Sequence, residues 1–297
     1  MKLSSLSANE KPFIGVRRAD GIVNVNAAIP GLPTDVGALL QSPAYDAQQL
    51  ADVVERTAVS SLLRDDEVRF RPVIPAPGKL LCLGLNYVDH AAESAHRAPE
   101  YPVVFGRYPT SLVGHGEPLV LPSVSTHFDY EAELGVVIGK TCRKVSREQA
   151  LEHVAGYTLL NDGSIRDYQM RTHQWTIGKN VDATGALGPE LVTADELPAG
   201  AKGLVLRGIL NGTIMQEANT SDMIFGVADA IAILSEVMTL EVGDMIATGT
   251  PGGVGFVRNP PVFMKPGDVF EVQVERVGTL RNHVVAEGPG PLKGSAL

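Results

Sequence analysis

The chain carries only two cysteines in 297 residues, Cys82 and Cys142. Two cannot build a disulfide framework, and Cys82, set in the apolar run KLLCLGLN, reads as a small buried hydrophobe. No uninterrupted apolar stretch reaches the roughly 18 residues of a membrane span, so no membrane partner is expected. The N-terminus MKLSSLSANEKPF lacks the continuous apolar core of a signal peptide, which leaves the cytoplasm as the default location. There is no Lys/Arg run and the net charge is −9, which argues against a general nucleic-acid binder. Several catalytic signatures are also missing. His115, His127, His153, His173 and His283 are scattered, with no HExxH or CxxC, so zinc is unsupported. No GxSxG marks a serine hydrolase. The glycine-rich ATGTPGGVG (247–255) fits neither GxxxxGK[ST] nor GxGxxG, so a nucleotide loop is not expected.

What is present is an ordinary globular balance, 44% hydrophobic and 20% charged, in a length that holds one large domain or one large and one small. Thirty-one glycines and 20 prolines with few long helical patterns predict many short strands and turns. Residues 1–70 read as a small α+β unit: a hairpin with FIGVR and IVNV about RADG, then two short helices in DVGALLQ and DAQQLADVVERTA. In the second helix Leu50, Val53 and Val54 are the apolar positions. Residues 71–78, rich in proline, read as an extended linker, and 79–297 as a β-rich main domain. Two helices interrupt its strands. One is SREQALEHVA, with a capping-box pattern at Ser146 and Gln149; the other is SDMIFGVADAIAILSEVM.

Three carboxylates stand out. Glu131 and Glu133 lie two apart in FDYEAEL, which reads as a strand, and so share one face. Asp162 ends the apolar run YTLLND. Like charges on one face are unfavourable unless a cation sits between them, and oxygen-only ligands favour a hard divalent ion. A solvated polar face is the competing reading, and the apolar flanks EAELGVVIG and YTLLND weigh against it. In LGLNYVDHAAES, His90 and Glu93 are three apart, the spacing of an imidazole oriented by a carboxylate, although a surface pair explains an isolated HxxE as well. Lys179 lies in TIGKNVDATGALGP, placed either to hold an oxyanion or to pair with Asp182. Arg166 and Asp167 read as a structural salt bridge beneath the carboxylates. The 247–255 turn offers backbone amides and the Thr250 hydroxyl to a substrate carboxylate, or is simply a tight turn.

Together these segments resemble the fumarylacetoacetate hydrolase (FAH) family. The resemblance runs over about 79–285 in matching order: GLNYVDHAAE, VVFGRYPTSLVG, FDYEAELGVVIG, YTLLNDGSIRDYQ, TIGKNVDATGALGP, LNGTIMQEANTSDMIFG, LEVGDMIATGTPGGVG and MKPGDVFEVQV. It implies a mixed α/β, β-rich protein with an FAH-type β-roll or barrel-like catalytic domain, homodimeric. It also implies Mg²⁺ or Mn²⁺, with Ca²⁺ also admissible, on Glu131, Glu133 and Asp162. His90, Glu93 and Lys179 take the catalytic positions, and Arg107, Tyr130, Gln216 and Thr250 the substrate-binding ones. Two departures bear on substrate choice. Arg107 in FGRYP stands where the family often has lysine, and Asn180-Val181-Asp182 where it often has Ser-Phe-Asp.

The activity so implied is cleavage of a C–C bond in a 2,4-dioxo acid of the acylpyruvate or fumarylpyruvate kind, through a metal-bound enolate. His90, oriented by Glu93, would activate water, and Lys179 would neutralise the enolate. The alternatives are an isomerase, tautomerase or decarboxylase of 2-oxo dicarboxylic acids in aromatic-compound degradation, and a non-catalytic binder of metal and oxo acid.

Overall fold

The computed structural model describes residues 1–93 and 99–289, without the side chains of 90–92. It is a mixed α/β, sheet-rich fold with two principal sheets, one of eleven strands and one of five.

The large sheet is centred on the strand Ala132–Ile138, every residue of which is buried. Antiparallel neighbours Val154–Asn161 and Met245–Ala247 flank it. On one side the sheet continues through Leu80–Gly84 to an edge strand, Val103–Gly106. On the other it continues through Gly185–Thr193 to Lys2–Ala8, Lys11–Arg18 and Gly21–Asn24. The five-stranded sheet is Thr213–Asn219, Val205–Leu210, Val269–Val274, Gly278–Ala286 and Leu119–Leu121. Leu134 and Val136 share a core with Leu206, Phe270, Val272 and Leu280 of that sheet. Val137, one position out of phase, belongs to a second core with Leu3, Ile14, Val36 and Leu50 of the N-terminal segment. A strand covered on both faces reads as an unbroken apolar run, which explains AELGVVI.

This second core bears on the expected division at 71–78. Lys2 and Leu3 pair with Val192 and Leu191, so the first strand extends the main sheet. The proline-rich segment is packed: Arg71 donates its backbone N–H to Ser5, Ser5 Oγ donates to Val73 O at 2.8 Å, and Val73 and Ile74 are buried. The first strands thus extend the main sheet, and Leu3, Ile14, Val36 and Leu50 share its second core, while Leu6, Phe13, Ile22 and Phe70 form a small cluster within residues 1–70.

Within that unit the hairpin forms, with Arg18 opposite Gly21, as do helices at Val36–Gln41 and Ala47–Arg56. Asp46 caps the second through the amides of Gln48 and Gln49, and Leu50 is its buried residue. Two helix expectations need correction. The Ser146 segment gives an α-helix over Arg147–Ala150 that tightens into a 3-10 turn over Leu151–His153, and Ser146 makes no side-chain cap bond. The later helix spans Val227–Val237, not from Ser221, because 220–222 form a separate turn capped by Asn219 and Gly226 enters extended. No described helix is long and apolar enough to cross a membrane.

Candidate metal and active site

Register brings the carboxylates together. Ala132 pairs with Asn161, which puts Glu131 opposite Asp162, and the Asp162 amide donates to Glu131 O at 2.9 Å. Directly opposed residues in an antiparallel pair share a face, and Glu133 lies on that face two residues on. One oxygen from each of Glu131, Glu133 and Asp162 lies within 4.8 Å of the others. The residues are 5%, 1% and 0% exposed, which excludes a solvated polar face. The same strand face continues to Val137 and the N-terminal core, so the N-terminal segment seals the sheet beyond the acidic end.

Three cations answer this charge. Lys179, closing the helix Thr176–Lys179, places Nζ 2.8 Å from Glu131 Oε2 and 2.6 Å from Asp162 Oδ2. It does not use Asp182. Arg166 Nη2 is 2.7 Å from Glu131 Oε1, and its Nε donates to Asp129 at 2.8 Å. Asp167 instead accepts from Ser125 Oγ, so the expected Arg166–Asp167 bridge gives way to Arg166 with Asp129 and Glu131. Arg107 Nη1 donates to Asp162 Oδ1 at 2.5 Å.

Burial works against the Lys179 ammonium, but Asp162 and Glu131 outweigh it, and the net effect keeps the lysine protonated. Arg166 is held charged in the same way, with Asp129 and Glu131 overcoming its burial. Glu133 receives a backbone hydrogen bond from Gly249 at 2.9 Å. Burial first, then Asp162 and Glu131, push its pKa well up. A divalent cation among the three oxygens would remove that penalty. The donors are all carboxylate oxygens, so the site can hold a hard ion such as Mg²⁺ or Mn²⁺.

The other expected site residues fall into place around the trio in a different way. The helix Val88–Glu93 carries both members of the His/Glu pair. Glu93 Oε2 accepts from the Gly253 amide at 2.7 Å, docking the helix end on the glycine-rich loop. The His90 side chain lies outside the described residues. Gln216 Oε1 accepts from the Ala132 amide, while its Nε2 donates to Thr250 Oγ1 at 2.7 Å and to Pro251 O at 2.9 Å. Thr250 Oγ1 donates to Ala132 O at 3.0 Å. Tyr130 is buried, stacked on Phe270 at 4.9 Å, and its hydroxyl donates to Gly253 O. These three residues fasten the glycine-rich loop to the start of the acidic strand. Arg107, expected to face a substrate carboxylate, is buried behind Asp162.

The loop does structural work of the kind the tight-turn reading allowed. Three of its amides serve the protein's own carboxylates, Gly249 to Glu133, Gly253 to Glu93 and Gly255 to Asp129, and the amide of Phe256 just beyond it also goes to Asp129. Gly249, at φ 92°, holds the backbone conformation that aims this N–H. Asp129, fully buried, also takes the Tyr130 amide and Arg166, yet sequence reasoning passed over it. The signal was available, since Asp129, Glu131 and Glu133 repeat at a spacing of two in FDYEAEL. Asn180 entered the sequence reading only as part of the Asn180-Val181-Asp182 departure. Its side chain accepts from the Tyr108 amide at 2.6 Å and donates to Gly106 O and Thr176 O, tying the lysine's helix to the edge strand.

The fold and site define a class: a sheet-rich protein with a buried, oxygen-only centre able to take a divalent cation. The family model described as "Fumarylacetoacetate (FAA) hydrolase C-terminal" matches residues 79–285, and the chain belongs to that family. It is 39% identical over 280 residues to the human protein named "Oxaloacetate tautomerase FAHD2A, mitochondrial", spanning 92% of this chain and 88% of that one. Among solved structures it resembles fumarylacetoacetate hydrolase from Exiguobacterium antarcticum, with TM-score 0.83 and 32% identity over 97% of this chain and 100% of that one. It also resembles maleylpyruvate hydrolase from Sphingobium sp. SYK-6 in complex with manganese(II) and pyruvate, with TM-score 0.77 and 30% identity at the same coverage.

Proposed function

We propose that this protein is a divalent-metal-dependent enzyme that interconverts the keto and enol forms of a small 2-oxo dicarboxylic acid of the oxaloacetate type. The observation that carries the reading is the Lys179 ammonium held at 2.6 and 2.8 Å between two members of a buried carboxylate trio. The identity to a named oxaloacetate tautomerase over nearly the whole chain supports the tautomerase over the hydrolase that the motifs alone favoured.

Glu131, Glu133 and Asp162 would hold Mg²⁺ or Mn²⁺, which when bound supplies a Lewis acid for the adjacent oxygens of a 2-oxo acid. The chain's own groups do the rest. Lys179, fixed as an ammonium, offers hydrogen bonds to the oxygen that gains negative charge as the enolate forms. The reaction moves one proton from the enol oxygen to the neighbouring carbon, so atoms balance without a co-reactant. His90 is the proposed proton carrier, on a helix that Glu93 anchors to Gly253. Arg166, fastened by Asp129, and Arg107 hold Glu131 and Asp162 in place.

Cleavage of an acylpyruvate-type C–C bond is the second reading, favoured by the likeness to a hydrolase whose complex holds manganese and pyruvate. It requires His90 to activate a water as well. Enol oxaloacetate, followed by loss of its ultraviolet band with Mn²⁺ present, separates the two. Tautomerase activity accelerates the decay with no pyruvate released. Pyruvate release from acylpyruvates with background enol decay would favour the hydrolase, and neither activity would remove both readings.

A further inference from the structure

We propose that Arg107 and Gly185 form a positioning pair for Asp162: the guanidinium fixes one carboxylate oxygen, and residue 185 must lack a side chain for it to do so. The proposal rests on the reading of the trio as a cation site.

Arg107 follows the edge strand Val103–Gly106 and is anchored by its own amide on Leu80 O at 3.1 Å. Its side chain is fully buried. Nη1 donates to Asp162 Oδ1 at 2.5 Å and to Gly163 O at 3.0 Å. Nε donates to Ser111 Oγ at 3.2 Å, and Nη2 to Ser111 O and Thr184 Oγ1, both at 3.4 Å. The acceptors come from three separate segments, so the plane of the guanidinium is fixed. Asp162 then has a different task for each oxygen: Oδ1 goes to Arg107, while Oδ2 faces Lys179.

The room for this fork exists only because residue 185 is glycine. A Cβ there would lie 2.5 Å from Nη2 and 2.7 Å from Cζ of Arg107. Clashes with the end of a flexible side chain are usually relieved by a swing, but here the end is buried and carries every one of the contacts. The backbone at 185 cannot retreat easily either, since Gly185 pairs with Leu112 in the sheet. An added methyl would therefore be transmitted to Asp162. Lysine would keep the charge but replace a planar fork with a point donor.

The test measures Mn²⁺ affinity by titration calorimetry on metal-stripped proteins, with the electron paramagnetic resonance spectrum of bound Mn²⁺ and a melting curve for each variant. Arg107→Lys and Gly185→Ala should each weaken binding about tenfold or more, the usual scale for groups that orient a metal ligand, and alter the Mn²⁺ spectrum. Adding Gly185→Ala to Arg107→Lys should change affinity by less than about twofold, because the group it would displace is already gone. Parent-like affinity and spectrum in Arg107→Lys would overturn the proposal, and so would losses that multiply in the double variant. If Gly185→Ala alone does not fold, recovery of folding in the double variant supports the shared space, and failure there too contradicts it. A parent protein that binds no Mn²⁺ would remove the cation site itself; a parent that binds while Arg107→Lys is unchanged removes only the positioning pair.

Discussion

Glu131, Glu133 and Asp162 bring three carboxylates into one buried place, where Lys179, Arg166 and Arg107 pair with Glu131 and Asp162 while Glu133 takes the Gly249 amide. The charge left on Glu133 is the reason to expect a cation. Glu133→Gln keeps the shape and an acceptor for Gly249, so the fold should hold while Mn²⁺ affinity falls at least about tenfold in calorimetry. Lys179→Met should leave Mn²⁺ binding measurable but lower the enol-decay rate by roughly 10²-fold, the scale for losing one preorganised donor to an oxyanion. At this scale half of the site was legible. The spacing of two in FDYEAEL shows Glu131 and Glu133 on one face, since strand alternation is local. That Asp162 joins them depends on the pairing of Ala132 with Asn161, and no short-range pattern reveals which strands pair. Arg107 was legible as an unusual residue but not as the partner of Asp162, 55 positions away.

At the scale of elements, the glycine-rich loop after Met245–Ala247 is the connecting piece. Its motif left open amides turned toward a ligand or a simple tight turn, and those of Gly249, Gly253 and Gly255 go to Glu133, Glu93 and Asp129. A motif shows that donors are available; only tertiary packing decides what they meet. Asp129 accepts three backbone N–H groups and Arg166, so Asp129→Asn leaves a buried arginine short of its partner. The expected cost is about 3 kcal/mol in denaturant unfolding, with faster hydrogen exchange at Gly255 and Phe256. Unchanged exchange there would show that Asp129 does not hold the loop. The helix expected over SDMIFGVADAIAILSEVM illustrates another limit: the segment contains the core residues Ile231 and Leu234, but the extended Gly226 set the helix start at Val227.

For the whole molecule, composition and strand patterns revealed the sheet-rich class, while the joining of residues 1–70 to the rest was hidden. The pairing of Lys2 with Val192 spans almost two thirds of the chain, and a proline-rich stretch looks the same in sequence whether it is loose or packed. Because Leu3 and Val137 share one core, heat should unfold residues 1–70 and the main sheet in one calorimetric transition. Leu3→Ala, at a fully buried position, should lower stability by about 2–5 kcal/mol and move that single transition as a unit. Two separated transitions would show that the shared sheet does not couple the parts.

The central claim is that the acidic trio holds the cation on which turnover of a 2-oxo acid depends. Enol oxaloacetate decay should be followed in metal-stripped protein, before and after Mn²⁺ is added, alongside Glu131→Ala. Decay above the solution background should appear only on adding Mn²⁺ and be absent in the variant. Equal decay in the stripped parent, or full Mn²⁺-dependent activity in Glu131→Ala, would contradict the account.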